Sequence, residues 1–323
     1  MKLSKNLKLL IAGCILIFLC FWGIISLEKS LEEIFFQQEL KNNPRLLIAE
    51  TNQAELQKRI NSLKPIKNKE ADDLIIYAKS AISILINKEG EKRILFEKNI
   101  NEQLPIASLT KLMTARVVLN NYDLSKQIKI SKTAVEQEED FGKLLVDDVL
   151  SVRELLYPLL MESSNDAAFS LANDYDGMNE KEFVGLMNVE AQKLGLKNTR
   201  FVNATGLDPE EGEPEEKINY STASDLTLLA QSLLNVPLLW EILSTSEISL
   251  YGQKLTNTNQ LLTEVPGVMG GKTGYTDKAL GCFILTTKAP KDKGYLINVV
   301  LGTGDRFGQM EKLINWLQKS YQW

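Results

Sequence analysis

The sequence contains no histidine, and this absence restricts its chemistry more than any other feature of the composition. A Ser-His-Asp triad, a Cys-His dyad and a histidine-ligated zinc site are all excluded. Any general base must therefore be a lysine, a carboxylate or a tyrosine.

The sequence also has few cysteines and a small net charge. Three cysteines occur in 323 residues, with Cys14 and Cys20 in an apolar stretch near the start and Cys282 far from both. They provide neither a disulfide framework nor a C-x-x-C metal site. The 37 Lys and Arg residues against 42 Asp and Glu residues leave a net charge of −5. This balance gives no electrostatic reason to expect nucleic acid as a partner.

One long apolar run stands near the N-terminus. Residues 9–25 are continuously apolar or small, and Lys2, Lys5 and Lys8 precede them. The run is near the lower length limit for a membrane-spanning helix, and the lysines favour a cytoplasmic N-terminus with an exported remainder. Since no A-x-A-like cleavage site follows, we predict an uncleaved anchor over residues 1–27, with secretion after signal cleavage as the alternative. Residues 28–73 are predicted to form a polar stalk, and residues 74–323 the folded domain.

Strand patterns lie at both ends of that domain, with helical patterns between them. Two strand-like runs with a turn between them predict a hairpin of residues 78–87 and 93–97. Apolar residues that share one helix face predict a mostly helical stretch from 146 to about 240. Later strands are predicted at 270–275, 282–288 and 296–301, followed by a helix at 307–320. This order predicts a mixed α+β fold (α/β in the broad sense), with one sheet and a helical insertion.

The segment 104–115, LPIASLTKLMTA, reads as a buried helix. Ser108 and Lys111 are three residues apart, so on a helix their hydroxyl and amine share one face. A buried lysine is costly without a partner or a purpose. The pattern indicates a serine nucleophile activated by a lysine. The structural alternative is a helix capped by Ser108, with Lys111 extending to solvent.

Two further motifs strengthen the catalytic interpretation. Ser163-Ser164-Asn165 marks a loop between helices, and Lys272-Thr273-Gly274 lies on a glycine-rich strand that a ligand can approach closely. Each alone is compatible with an ordinary helix cap or surface turn. Together, in the order S-x-x-K, S-x-N and K-T-G, they are the signature of penicillin-binding proteins and serine β-lactamases.

From about residue 78 to 316 the chain resembles the low-molecular-mass penicillin-binding proteins of the D-alanyl-D-alanine carboxypeptidase type. The resemblance extends beyond the three motifs to PIASLTK at 105–111, SNDA at 164–167, NATGLD at 203–208, YSTA at 220–223, TN at 258–259, PGV at 266–268 and KTGYT at 272–276. It implies the β-lactamase/transpeptidase-like fold, in which an antiparallel sheet flanked by helices lies beside an all-helical subdomain. It implies no metal and no organic cofactor.

The same resemblance implies a role for each motif residue. Ser108 would attack the carbonyl between the two terminal D-alanines of a peptidoglycan stem peptide and form an acyl-enzyme, which penicillins would also form. Lys111 would take the serine proton, a role that needs a neutral amine. Ser163 would relay a proton to the leaving D-alanine, and Asn165 would position the substrate and Lys111.

For substrate binding, the resemblance implies that Lys272 and Thr273 hold the terminal carboxylate, with Arg306 adding positive charge nearby. Gly274 would let its strand pass close to the substrate. The backbone N–H groups of Ser108 and Tyr275 would form the oxyanion hole.

Three alternatives remain open from the sequence. A class A β-lactamase would need an extra glutamate for deacylation, and the acidic run at 210–216 has no recognisable match to that element. A D,D-endopeptidase cutting cross-links carries the same motifs. A non-catalytic sensor of muropeptides or β-lactams belongs to a different class of function. Two departures from the family are expected to matter: no β-rich C-terminal domain follows the last helix, and Leu280 replaces a usually small residue.

Overall fold

The computed structural model describes residues 65–137, 143–209, 214 and 217–323. The predicted anchor at 1–27, and the predicted stalk up to residue 64, lie outside the described residues. The chain divides into one unit at Met1–Ile66 and a second at Lys67–Trp323, which carries all three motifs. In the described part of the chain, no single helix is long and apolar enough to cross a membrane. One pair, Ala223–Leu233 with Pro237–Ser244, passes that test of length and composition jointly but is bent by 109°.

The strands in chain order are β1 (Ile66–Lys67), β2 (Ser80–Ile86), β3 (Lys92–Lys98), β4 (Leu104–Pro105), β5 (Gln127–Lys129), β6 (Val149–Ser151), β7 (Tyr220–Ser221), β8 (Glu247–Leu250), β9 (Gln253–Thr256), β10 (Val268–Gly274), β11 (Gly281–Lys288), β12 (Tyr295–Thr303) and β13 (Tyr321–Gln322). The α-helices are α1 (Lys111–Asn121), α2 (Lys132–Val135), α3 (Val152–Tyr157), α4 (Asn165–Asn173), α5 (Glu180–Lys193), α6 (Ala223–Leu233), α7 (Pro237–Ser244) and α8 (Arg306–Ser320). Short 3₁₀ turns lie at Ala107–Thr110, Gln260–Leu262 and Pro290–Asp292, and a π-helical turn lies at Pro158–Glu162.

A five-stranded sheet is the centre of the unit. Its strand order is β10-β11-β12-β2-β3, and every neighbouring pair is antiparallel. The predicted hairpin is confirmed as β2 and β3, with Gly90 in the turn at a φ of +84°. The three later predicted strands are confirmed as β10, β11 and β12, with ends that differ by one or two residues.

The two faces of the sheet bury alternate residues against different helices. On β2, Ile84 belongs to a large core shared with the helical part, whereas Leu85 belongs to a smaller core under α8. Met310 and Leu317 of α8 are fully buried in that smaller core. Because side chains alternate along a strand, one sheet supports both layers. The predicted fold class, an antiparallel sheet flanked by helices beside a helical part, is confirmed.

The prediction of a mostly helical stretch from 146 to 240 was wrong between α5 and α6. The described residues there form turns and the short strand β7 rather than a continued helix. The side chain of Asn203 accepts a hydrogen bond from Gly206 N at 2.7 Å, and Gly206 has a φ of +87°. A side chain that bonds to the nearby backbone competes with helix formation, and a left-handed φ is incompatible with it.

Candidate active site

Ser108 does not lie on a regular α-helix, contrary to the helix predicted over 104–115. It lies in the 3₁₀ turn Ala107–Thr110, after β4 and before α1 begins at Lys111. Ala107 has a φ of +46°, a conformation that costs free energy for a residue with a side chain. Ser108 makes no capping hydrogen bond, since neither helical segment has a side-chain cap at its start. The serine is half-buried.

Lys111 is completely buried, with 0% of its surface exposed, which rules out the alternative of an extended, solvated lysine. Its Nζ lies 2.9 Å from Ser108 Oγ. The same nitrogen donates to Asn165 Oδ1 at 2.7 Å and to the Thr205 carbonyl oxygen at 2.7 Å. The structure thus brings Ser108, Lys111 and Asn165 together around one nitrogen.

The chemistry of these contacts favours a proton acceptor directed at the serine. A neutral amine has two N–H donors and one lone pair. An amide oxygen and a backbone carbonyl accept hydrogen bonds but do not donate them. When the two N–H groups are directed to Asn165 and Thr205, the lone pair of a neutral amine can accept the hydroxyl proton of Ser108.

The S-x-N loop is a tight left-handed turn between two helical segments. Ser163 follows the π-helical turn Pro158–Glu162 with a φ of +67°, and it is half-buried. Ser164 then caps α4 by accepting from Ala167 N at 3.1 Å. This turn places Ser163 two residues before Asn165, which is 1% exposed and bonded to Lys111.

The K-T-G motif forms the end of the edge strand β10. Lys272 is 1% exposed, and its Nζ donates to the Thr273 carbonyl oxygen at 2.9 Å. Burial, and then the positive charges of Lys111 and Arg306, lower the pKa of Lys272 well below its ordinary value. Thr273 is also buried, and its Oγ1 lies 2.8 Å from Thr258 Oγ1.

Gly274 brings this strand against the backbone of the serine. A Cβ placed on Gly274 would lie 3.1 Å from Ser108 N and 3.2 Å from Ile106 O. A side chain at this position would therefore require the strand or the turn to move by a few tenths of an ångström. Tyr275 follows directly in the chain, and its side chain is exposed.

Arg306 is the first residue of α8 and lies on the Lys272 side of the site. Its positive charge contributes to lowering the pKa of Lys272, and burial lowers the pKa of Arg306 itself. Cys282, on the neighbouring strand β11, is fully buried, and burial raises the pKa of its thiol to about 11. A protonated, inaccessible thiol is a core side chain rather than a nucleophile. Leu280 adopts a left-handed φ of +57° just before β11 begins.

The sequence did not predict the contact between Lys111 and the Asn203–Gly206 turn. Asn219 Nδ2 donates to Thr110 Oγ1 at 2.9 Å and to the Asn203 carbonyl oxygen at 3.1 Å. The Asn203–Gly206 turn then presents the Thr205 carbonyl oxygen to Lys111. NATGLD was part of the family resemblance, but a backbone carbonyl leaves no trace of its own in a sequence. Within the described ranges, no group of three or more Asp, Glu and Cys side chains is placed to hold a metal ion.

A sequence profile of the D-alanyl-D-alanine carboxypeptidase family matches residues 67–305. The D-alanyl-D-alanine carboxypeptidase DacF of Bacillus subtilis is 35% identical over 267 residues, which are 79% of this chain and 65% of the relative. The chain therefore spans just under two thirds of that relative's length. A D-alanyl-D-alanine endopeptidase of Pseudomonas aeruginosa is 34% identical over 247 residues, 73% of this chain and 76% of that protein.

Solved structures agree with the sequence comparison. Penicillin-binding protein D2 from Listeria monocytogenes, in its cefotaxime-bound form, is 33% identical with a TM-score of 0.65. The match covers 76% of this chain and 99% of that one. A mutant of the Streptomyces K15 DD-transpeptidase is 29% identical with a TM-score of 0.67, and the match covers 76% of this chain and 100% of that one. With its three motifs close together in the fold and a matching profile over most of its length, the chain belongs to the D-alanyl-D-alanine carboxypeptidase family.

Proposed function

We propose that this protein is a serine D,D-carboxypeptidase that removes the terminal D-alanine from peptidoglycan stem peptides. The observation that carries the proposal is the position of Lys111 Nζ, 2.9 Å from Ser108 Oγ, with carbonyl oxygens on two of its other sides. A lysine in this position serves as the general base that a chain without histidine needs.

Acylation begins when Ser108 Oγ gives its proton to Lys111 Nζ and attacks the carbonyl carbon between the two D-alanines. The backbone N–H groups of Ser108 and Tyr275 stabilise the oxyanion, a contribution of about 3 kcal/mol per donor in other enzymes. The peptide C–N bond then breaks, and the leaving amine receives a proton from Lys111 through Ser163. Water attacks the acyl-enzyme next, with Lys111 again taking the proton. The ester bond to Ser108 Oγ then breaks, and Lys111 returns the proton to that oxygen.

The terminal carboxylate of the substrate is recognised by Lys272, Thr273 and Arg306. A carboxylate placed against Lys272 favours the protonated amine and so counteracts the effect of burial on the lysine pKa. Recognition of a free terminal carboxylate distinguishes a carboxypeptidase substrate from an internal peptide bond.

β-Lactams are the proposed inhibitors, because they carry a reactive amide and a carboxylate in one molecule. The Listeria monocytogenes penicillin-binding protein D2 has been solved in cefotaxime-bound and ampicillin-bound forms. A penicillin would acylate Ser108 in the same way as the peptide does.

We propose in addition that residues 1–27 anchor the protein in the cell membrane, with the N-terminus in the cytoplasm and the catalytic unit outside. The apolar run at 9–25 and the three lysines before it support this location. A cell-wall substrate also requires an extracytoplasmic catalytic unit.

Endopeptidase activity is the second candidate, because relatives from Pseudomonas aeruginosa and Escherichia coli, 34% and 31% identical, carry that name. The full-length chain in detergent would be given a pentapeptide stem and a cross-linked dimer, with products followed by mass spectrometry. Release of free D-alanine supports the carboxypeptidase, and cleavage of the dimer supports the endopeptidase. Loss of either activity in Ser108→Ala assigns it to this site. Binding of penicillin without any peptide product would favour a sensor, and turnover of penicillin a β-lactamase.

A further inference from the structure

We propose that Thr258 is a positioning residue for recognition of the substrate carboxylate, acting through the hydroxyl of Thr273. The inference rests on the proposed function, in which Thr273 binds that carboxylate. It adds a residue that lies outside the three motifs and that orients one of them.

The first observation is a direct contact between two hydroxyl groups. Thr258 Oγ1 and Thr273 Oγ1 lie 2.8 Å apart, a normal distance for an O–H···O hydrogen bond. Each hydroxyl has one proton to donate and two lone pairs. Only one of the two threonines can therefore donate across this contact.

A bound carboxylate determines which of the two threonines donates the hydrogen bond. A carboxylate accepts hydrogen bonds and has no proton to give, so Thr273 has to direct its only proton to the substrate. The contact with Thr258 then requires Thr258 to donate and Thr273 Oγ1 to accept. With its lone pair occupied in this way, the Thr273 hydroxyl has its proton held toward the carboxylate.

The backbone fixes Thr258 in the position this role needs. Its N–H donates to the Met161 carbonyl oxygen at 2.9 Å, in the π-helical turn that precedes Ser163. The following residue, Asn259, is 3% exposed and bonds through its side chain to Leu261 N at 3.1 Å. Thr258 therefore joins the loop that carries Ser163 to the strand that carries Thr273.

Because the pKa of Lys272 is lowered, a neutral hydrogen-bond donor contributes to carboxylate binding even when the lysine is uncharged. Burial lowers the pKa of this lysine, so a full positive charge is disfavoured before the substrate arrives. A hydroxyl already oriented toward the carboxylate keeps its donor capacity whatever the protonation state of the lysine.

The test compares two acyl donors that differ only in their carboxylate. The full-length protein in detergent would be acylated with benzylpenicillin and with its methyl ester, and second-order rate constants measured by intact mass. In Thr258→Val we expect the ratio of the two rate constants, carboxylate over ester, to fall roughly three- to tenfold. Thr258→Ser, which keeps the hydroxyl, should restore the ratio.

Thr263→Val is the matched control, because it makes the same change at an exposed threonine in the same part of the chain. Melting temperatures would show that all variants are folded. An unchanged ratio in a folded Thr258→Val protein would overturn the inference, as would equal slowing of both donors. Failure of the wild-type protein to be acylated by either donor would instead count against the proposed function.

Discussion

Gly274 lies against the backbone of Ser108, so closely that a Cβ on the glycine would stand 3.1 Å from the serine nitrogen. The same Cβ would lie 3.2 Å from Ala107 Cβ. Strand β10 and the turn that carries Ser108 are thus packed at a spacing that admits a methyl group only if one of them moves by a few tenths of an ångström.

We therefore predict that Gly274→Ala moves β10 away from the serine by a few tenths of an ångström and weakens the oxyanion hole. Acylation by penicillin should slow by roughly tenfold or more, the magnitude expected for a displaced oxyanion donor. Gly185→Ala is the control, because its Cβ would meet nothing within 4 Å. Equal acylation rates for the two folded variants would show that the close approach has no catalytic role.

Gly206 carries a stronger constraint, because both its conformation and its surroundings exclude a side chain. Its φ is +87°, and a Cβ would lie 2.2 Å from Ala107 O and 2.5 Å from Ala107 C. We expect Gly206→Ala to lower the free energy of unfolding by about 3 kcal/mol or more, from strain together with a backbone clash.

The control for this experiment separates the strain from the clash. Gly195 has a similar φ of +73°, but nothing lies within 4 Å of its Cβ position. Gly195→Ala should therefore cost only about 1–2 kcal/mol, the conformational part alone. Denaturant unfolding measures both, and equal losses would mean that the contact with Ala107 does not matter.

Asn165 is predicted to keep Lys111 in the form that accepts a proton. Asn165→Asp retains an acceptor for Lys111 Nζ, 2.7 Å away in the wild-type protein, but adds a negative charge. Since a nearby anion favours the protonated amine, the acylation rate near neutral pH should fall roughly 100-fold. The pH–rate profile of acylation checks this, because the rate should recover at higher pH than in the wild-type protein. A uniform loss at every pH would point to damaged geometry instead.

Lys272 should make carboxylate recognition dependent on pH. Its pKa is lowered by burial first, and then by Lys111 and Arg306, so the folded protein releases this proton at lower pH than the unfolded chain. Acylation by carboxylate-bearing donors should therefore decline as pH rises through the lowered pKa. Lys272→Arg, which keeps its charge, should extend activity to higher pH.

The lowered pKa of Lys272 also predicts that the free energy of unfolding depends on pH. Between the lowered pKa and the ordinary value of 10.5, the unfolded chain binds more protons than the folded one. The free energy of unfolding should thus rise with pH across that interval, and Lys272→Met should remove this contribution. Denaturant titrations at several pH values measure it, and identical slopes in both proteins would contradict the assignment.

The parts of this site that depend on side-chain identity could be predicted from the sequence. Short apolar runs bounded by turn residues predicted β2, β3 and the three later strands. Of these, β2, β11 and β12 place alternate residues in the two cores. The spacing of Ser108 and Lys111 predicted their contact, although the segment changes from a 3₁₀ turn to α1 between them. The 3₁₀ turn begins at Ala107 with a left-handed φ, a conformation that an alanine in the sequence does not signal.

The parts that depend on the backbone could not be predicted in this way. Lys111 bonds to the carbonyl oxygen of Thr205, and every residue type carries such a group. Thr205 follows Lys111 by 94 residues in the chain. The two come into contact because the Asn203–Gly206 turn packs against Ala107. Likewise, Thr258 reaches Thr273 because the loop after β9 packs against strand β10, and not through any local sequence pattern.

The assignment of Ser108 as the nucleophile and Lys111 as its base is open to a direct experiment. The intact mass of the full-length protein in detergent with penicillin would be followed over time, beside Ser108→Ala and Lys111→Ala. We expect an adduct of one penicillin per chain in the wild-type protein, located on Ser108 by peptide mapping, and none in Ser108→Ala. Acylation of Lys111→Ala should be at least about 100-fold slower. An adduct that persists in Ser108→Ala, or a folded wild-type protein that penicillin does not modify, would contradict the assignment.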